Sequence, residues 1–296
     1  MTSIRTRAAN YGERADITAR TMLITVFGDS IAPSGGAIWI GDLINLMKPF
    51  SFSDRLVRTS LFRLGEDGLF DTERIGRRSR YSLSRTAQEE FAAADARIYY
   101  QPAVDWDNEW TIVFANDHRL DDTTKAALAR ALRWQGFGRL AAGVFASPTA
   151  ARSTVAVAAS RVGIDIALPT ARARFSDLDA LVQRDTFDAD FGVDESAAAY
   201  NNFIADWRWF KGLGEEDGHA AFLVRSMMVH DFRRARLADP ELPAPLLPPR
   251  WPGQRAYERA AQIFHTVDAA ASAYLGETWG LKAPALHRFP TGPHAD

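Results

Sequence analysis

Three groups of residues in this sequence have types and spacings that could do chemistry. The first is Gly28-Asp29-Ser30, which follows the apolar run Met22–Phe27 within TVFGDSIAPSGG (25–36). Many GDSL-type esterases present their serine nucleophile this way, and such a serine needs a base oriented by an acid. That chemistry requires a later Asp-x-x-His, and the chain contains none. The oxyanion element Gly-x-Asn-Asp is approached only by Phe114-Ala115-Asn116-Asp117, which lacks the glycine. Ser30 therefore reads as a helix-end residue, with a hydrolase as the alternative, and no catalytic residue is assigned.

The second group is the histidines, at 118, 219, 230, 265, 287 and 294. None has the close spacing of a metal-ligand pair, and Asn116-Asp117-His118 reads as a loop after a strand. With no cysteine in the chain, disulfides and thiolate metal sites are excluded. No metal site and no resident cofactor are expected.

The third group is a set of arginines. A helix is expected from Asp54 to about Asp67, with Ser53 as N-cap and Gly68 as C-cap. At 100° per residue, Val57, Ser60, Leu61 and Leu64 share one face, suited to packing. Arg55, Thr59, Phe62 and Glu66 point the other way, flanked by Arg58 and Arg63. Such a helix could dock by its apolar face and offer arginine and threonine to base edges and phosphates of a major groove. The competing reading is a solvated helix whose Asp54–Arg58 and Arg63–Asp67 pairs satisfy each other. A hairpin around Gly76, within LFDTERIGRRSRYSLS (69–84), carries Arg77, Arg78 and Arg80 at its tip and favours the DNA reading.

These residues need elements to position them. Residues 17–29, with Asp16 as a candidate N-cap, form a buried helix or strand that periodicity cannot distinguish. Pro33, Gly35 and Gly36 mark a loop, Ala37–Ile40 a short strand, Gly41–Met47 a helix and Arg85–Tyr100 another helix. The order of helices and hairpin is that of a winged helix. From Trp106 the pattern becomes β-α-β-α-β: strand Trp110–Ala115, helix Asp121–Trp134, strand Gly143–Ser147, helix Thr149–Arg161 and strand Gly163–Leu168. That suits a ferredoxin-like domain. Residues 175–236 and 254–276 read as mostly helical. The six prolines of Asp239–Gly253 favour an extended strap between domains.

The expected fold class is a multidomain α+β protein. A winged helix-turn-helix occupies residues 1–102, a ferredoxin-like α+β domain 103–174 and a mainly α-helical domain 175–296. The formal net charge is −2, which does not suggest a nucleic-acid binder, but residues 1–85 carry +4 and the remainder −6. That asymmetry permits a DNA-contacting front end on an acidic body. No apolar run is long enough to span a bilayer, and the polar N-terminus lacks the apolar segment of a signal peptide. A cytoplasmic protein with no membrane partner is expected.

RLVRTSLFRLGEDGLF (55–70) followed by GRRSRYSLS (76–84) resembles the N-terminal winged helix of the PaaX family, repressors of phenylacetic-acid catabolism. FGDSI (27–31) fits the same family, and HDFRRARLADPELPAPLLPPRWPG (230–253) resembles the signature of its last domain. The resemblance implies a non-enzymatic transcriptional repressor. It also implies a homodimer on a palindromic double-stranded DNA operator, released by an aryl-acyl-CoA effector such as phenylacetyl-CoA. The DNA contacts it implies fall on Ser53, Arg55, Arg58, Thr59, Arg63, Arg77, Arg78 and Arg80. For the effector, Trp207 and Trp209 could stack on a ring, and Arg233 and Arg234 could hold phosphates. The favoured reading of the aromatic stretch Tyr200–Phe210 is nevertheless core packing, and of the arginines a structural pairing. A winged helix that binds protein is a further alternative.

Overall fold

The computed structural model describes residues 3–101, 106–177, 182, 187–213, 217–282 and 288–290. His287 and His294 lie outside the described residues, as do most of 178–186. The fold is mixed α and β, and its contacts divide it into two compact units interleaved along the sequence. The first combines residues 1–101, 200–237 and 253–296; the second combines 102–199 and 238–252.

The first unit opens with a helix the polar sequence did not announce, α1 (Ile4–Gly12), capped by Ser3. Gly12 ends it where a Cβ would sit 1.7 Å from the Phe50 carbonyl oxygen, so only glycine permits this approach. The apolar run resolves as helix, α2 (Ala19–Val26). Its N-cap is Thr18, in a reciprocal capping box with Thr21, and not Asp16. Asp16 instead pairs with Arg14 and Arg234. A π-helical turn, Phe27–Ile31, continues α2 into a 3-10 turn and the strand β1 (Ala37–Trp39).

Helix α3 (Ile40–Met47) follows, and then a 3-10 turn at Lys48–Phe50. Phe50 and Phe52 are buried there and anchor the connection into α4 (Asp54–Glu66). Strands β2 (Phe70–Ile75) and β3 (Arg78–Leu83) form a hairpin with Ile75 opposite Arg78. Gly76, at φ 61°, supplies the left-handed backbone this two-residue turn needs. The sheet order is β1-β3-β2, all antiparallel, and α5 (Arg85–Tyr99) leaves β3 through the Ser84 cap. The C-terminal helices α10 (Gly218–Ala238) and α11 (Gly253–Trp279) complete the unit. Among the described residues no helix is long and apolar enough to cross a membrane.

The second unit is built on β4 (Trp110–Phe114), α6 (Asp122–Trp134), β5 (Gly138–Ala141), β6 (Val144–Ser147), α7 (Arg152–Arg161) and β7 (Thr170–Ala173). Its antiparallel sheet has the order β5-β6-β4-β7. The last strand is therefore Thr170–Ala173, and not the apolar Gly163–Leu168 expected from sequence. Ile164 and Leu168 belong to the core with Leu128, Leu132 and Val155, whereas β7 is an edge strand of polar and small residues. Edge strand β5 escaped notice for the same reason.

Helix α8 (Phe187–Phe191) packs on β5, where Arg139 pairs with Asp190, and α9 (Val193–Asp206) follows it, passing from the second unit into the first at Tyr200. The proline-rich segment belongs to the second unit itself. Its Leu242 and Leu246 are buried in a cluster with Trp110, Ala146, Phe191 and Val193.

Candidate nucleic-acid interface

Helix α4 forms because Ser53 accepts the Leu56 amide at 3.3 Å and because one stripe can be buried. Val57, Leu61 and Leu64 are fully buried and Ser60 is 9% exposed, as the helical projection requires. α2 and α3 pack against this side. Arg55, Arg58, Thr59, Phe62, Arg63 and Glu66 are all exposed. Thr59 Oγ1 donates to the Arg55 carbonyl at 2.9 Å.

The salt-bridge alternative for this helix is not what forms at its end. Asp67 pairs with Arg20, at 2.7 Å, leaving Arg63 free of it. Among the described residues the guanidinium groups of Arg55, Arg58 and Arg63 have no ion-pair or hydrogen-bond partner, so their donors face solvent.

The hairpin carries its arginines differently. Arg77 lies in the turn, Arg78 stacks over Trp39 at 4.3 Å, and Arg80 is paired in register with Glu73 and Trp39. Stacking on Trp39 restrains the Arg78 stem and leaves its donor edge for an anion. All three arginines are exposed. Phe27 of the π-turn packs on Phe70 of β2, with ring centroids 4.2 Å apart, which ties the hairpin's base to α2.

Beneath this surface lies a charged cluster that sequence reasoning did not assign. Asp29 is 5% exposed. It accepts from Arg225 Nε at 3.0 Å, Arg288 Nη1 at 3.1 Å, Tyr99 Oη at 2.8 Å and Ser30 Oγ at 2.9 Å. Arg225 continues to Asp268 and Ser272, both on α11, and Arg288 continues to Asp95 on α5. Burial alone would raise the Asp29 carboxyl, but Arg225 and Arg288 outweigh it and hold its pKa below the ordinary carboxylate range. The available signal was FGDSI itself, read as a nucleophile or a helix end. Ser30 is buried, donates to Asp29 and accepts from Arg225, which is a structural position.

Of the remaining sequence candidates, Trp207 and Trp209 lie at a second feature of the same unit, an open cleft of about 520 Å³, whereas Arg233 and Arg234 are not among its lining residues. Trp207 and Trp209 line it with Arg7, Tyr11, Arg14 and Asp231. Arg7 stacks over Trp209 at 4.1 Å. Tyr11 Oη donates to Asp231 Oδ1 at 2.7 Å, and Trp207 Nε1 donates to Oδ2 at 3.0 Å. Since the Tyr11 proton goes to Asp231, His230 must donate from Nδ1 to Tyr11 Oη, 2.8 Å away. Burial depresses the His230 pKa to about 3, assisted by Arg233 and Arg234. Arg233 reaches back to Thr25 Oγ1 at 2.9 Å, and Arg234 to Asp16 at 2.7 Å.

Comparison with known proteins matches three consecutive stretches of this chain. Residues 18–87 match the PaaX-like protein family, 103–183 the PaaX protein central Cas2-like domain and 191–277 the PaaX-like protein C-terminal domain. The transcriptional repressor PaaX of Escherichia coli (strain K12) is 33% identical over 273 residues, covering 88% of this chain and 84% of its own. The chain belongs to the PaaX family. A solved structure, the uncharacterized protein Rv0674 from Mycobacterium tuberculosis, shares the fold with a TM-score of 0.52. It is 23% identical and covers 86% of this chain and 98% of its own.

The first PaaX match runs from the Thr18 cap to the first turn of α5, so it takes in α4, the hairpin and Asp29. Asp117 is held by Arg119 at 2.6 Å and His118 is exposed. Among the described residues no group of His, Asp or Glu is placed to hold a metal.

Proposed function

We propose that this PaaX-family protein is a transcriptional repressor, not an enzyme, that binds duplex DNA through α4 and the β2–β3 hairpin. The order α2, α3, α4, hairpin is read as a winged helix-turn-helix, with Ser53–Glu66 as the reading helix and Arg77, Arg78 and Arg80 on the wing. The observation that carries this is the outer face of α4. Its three guanidinium groups have no partner among the described residues, above a face that is fully packed. Arginine donors left open in this way suit guanine edges and phosphates.

The second unit is read as ferredoxin-like. Its β-α-β-β-α-β order and its 2-3-1-4 sheet, counting its strands from β4, support that plan. The protein acts in the cytoplasm as a homodimer, with two α4 helices entering major grooves about 34 Å apart on a palindromic operator. An aryl-acyl-CoA such as phenylacetyl-CoA is the effector, and the regulated operon serves aromatic-acid breakdown. For the ligand, the cleft bounded by Trp207 and Trp209 offers aromatic walls with Arg7 and Arg14 at its rim.

Selection of bound fragments from genomic DNA, followed by gel-shift titration, tests the proposal. Enrichment of one palindromic motif bound far more tightly than random duplex is expected, and release of it by a CoA thioester. Equal affinity for all duplexes would overturn the DNA reading.

A further inference from the structure

Large exposed apolar side chains in the first unit are not scattered. Among its described residues they are Leu56, Phe62, Ile75 and Tyr100, and three of the four sit on α4 and the hairpin. Phe62 is the most exposed of them, at 64%, and it stands in the middle of the arginine face. It lies three residues after Thr59, four after Arg58 and seven after Arg55, so these side chains form one stripe. From Arg55 to Phe62 the stripe runs about 10 Å along the helix axis, or about three base-pair steps.

A phenyl ring on this stripe cannot bond a phosphate or a polar base edge. The one apolar group that A·T and G·C pairs display in the major groove is the thymine 5-methyl. The arginines around Phe62 supply the charge complementarity that brings a duplex to the face. We propose that Phe62 is a specificity-determining residue that packs on a thymine methyl of the operator, while its arginine neighbours hold the backbone or guanine. The proposal rests on the DNA-binding reading above and adds to it the base that the apolar position reads.

The test uses the full-length protein and the duplex recovered by selection. Each thymine in turn is replaced by deoxyuridine, which removes only the methyl. Wild-type protein should lose about fourfold in affinity at one or two positions per half-site, the equivalent of one buried methyl group. Phe62→Ala should bind the parent duplex more weakly and no longer distinguish thymine from uracil there. Phe62→Leu should retain part of the discrimination.

Equal loss at the same thymines in wild type and Phe62→Ala would overturn the proposal. So would an operator without thymine at its recognised positions, or a Phe62→Ala protein whose only change is its oligomeric state, which would assign the ring to a protein contact. If no duplex is preferred at all, the failure is that of the DNA reading, and selection with wild-type protein shows it before any variant is made.

Discussion

The Asp29 carboxylate and the Arg225 guanidinium meet at 3.0 Å with both side chains closed off from solvent. One belongs to the turn that follows α2 and the other to α10, 196 residues apart in sequence. Asp29 is thus where the C-terminal helices are fastened to the element that packs on α4. Removing either partner strands a charge in the interior, which costs about 3–5 kcal/mol. Asp29→Ala and Arg225→Ala should each lower the unfolding free energy obtained from urea titration by that order.

The same carboxylate makes stability depend on acid. Its folded pKa is depressed, so its contribution is complete above the unfolded value of about 3.9 and is lost as pH falls through the folded one. In urea titrations from pH 6 down to pH 2, the difference in stability between wild type and the Asp29 variant should shrink as this contribution is lost.

His230 works at a higher pH with the same sign. Its folded pKa of about 3 lies below an unfolded value of about 6.5. Stability should therefore fall as pH drops below about 6.5, by up to about 1.4 kcal/mol per unit. Asp231 opposes this: burial raises its carboxyl, so it favours the folded state as pH falls through its own folded value. The difference between wild type and His230→Gln isolates the histidine. It should be steep between pH 6.5 and 4 and flat above pH 7.5.

Much of the α4 surface was legible from the residues. Val57, Ser60, Leu61 and Leu64 recur at helical spacing, and burial follows that spacing wherever a helix packs on one side. Gly76 between two β-prone runs announced the hairpin. The strands β5 and β7 were not legible, because Gly138–Ala141 and Thr170–Ala173 are only four residues each, mostly small or polar, and too short to show an alternating apolar pattern. Ile164 and Leu168 drew the assignment to a segment that fills the core without joining the ladder. The partners of Asp29 were also hidden, since Tyr99, Arg225 and Arg288 are joined to it only by tertiary folding.

On the wing, Arg77, Arg78 and Arg80 should act on affinity without regard to sequence. Each phosphate contact removed should reduce the slope of log K against log salt by about 0.9. Arg77→Ala and Arg80→Ala measured across a salt series should show this, with the preference for operator over random duplex retained.

In the cleft, Trp209→Ala removes the ring on which Arg7 stacks. A CoA thioester that raises the thermal midpoint of wild-type protein should raise that of the variant less. An undiminished shift would move the effector site elsewhere.

Under the proposed function, α4 reads sequence with the open donors of its arginines. Competition binding of wild type and Arg58→Ala to the selected operator, and to single-base variants of it, tests this most directly. A loss of about 1–3 kcal/mol is expected, with relaxed preference at one base pair per half-site. A uniform loss across all duplexes, or none, would contradict it.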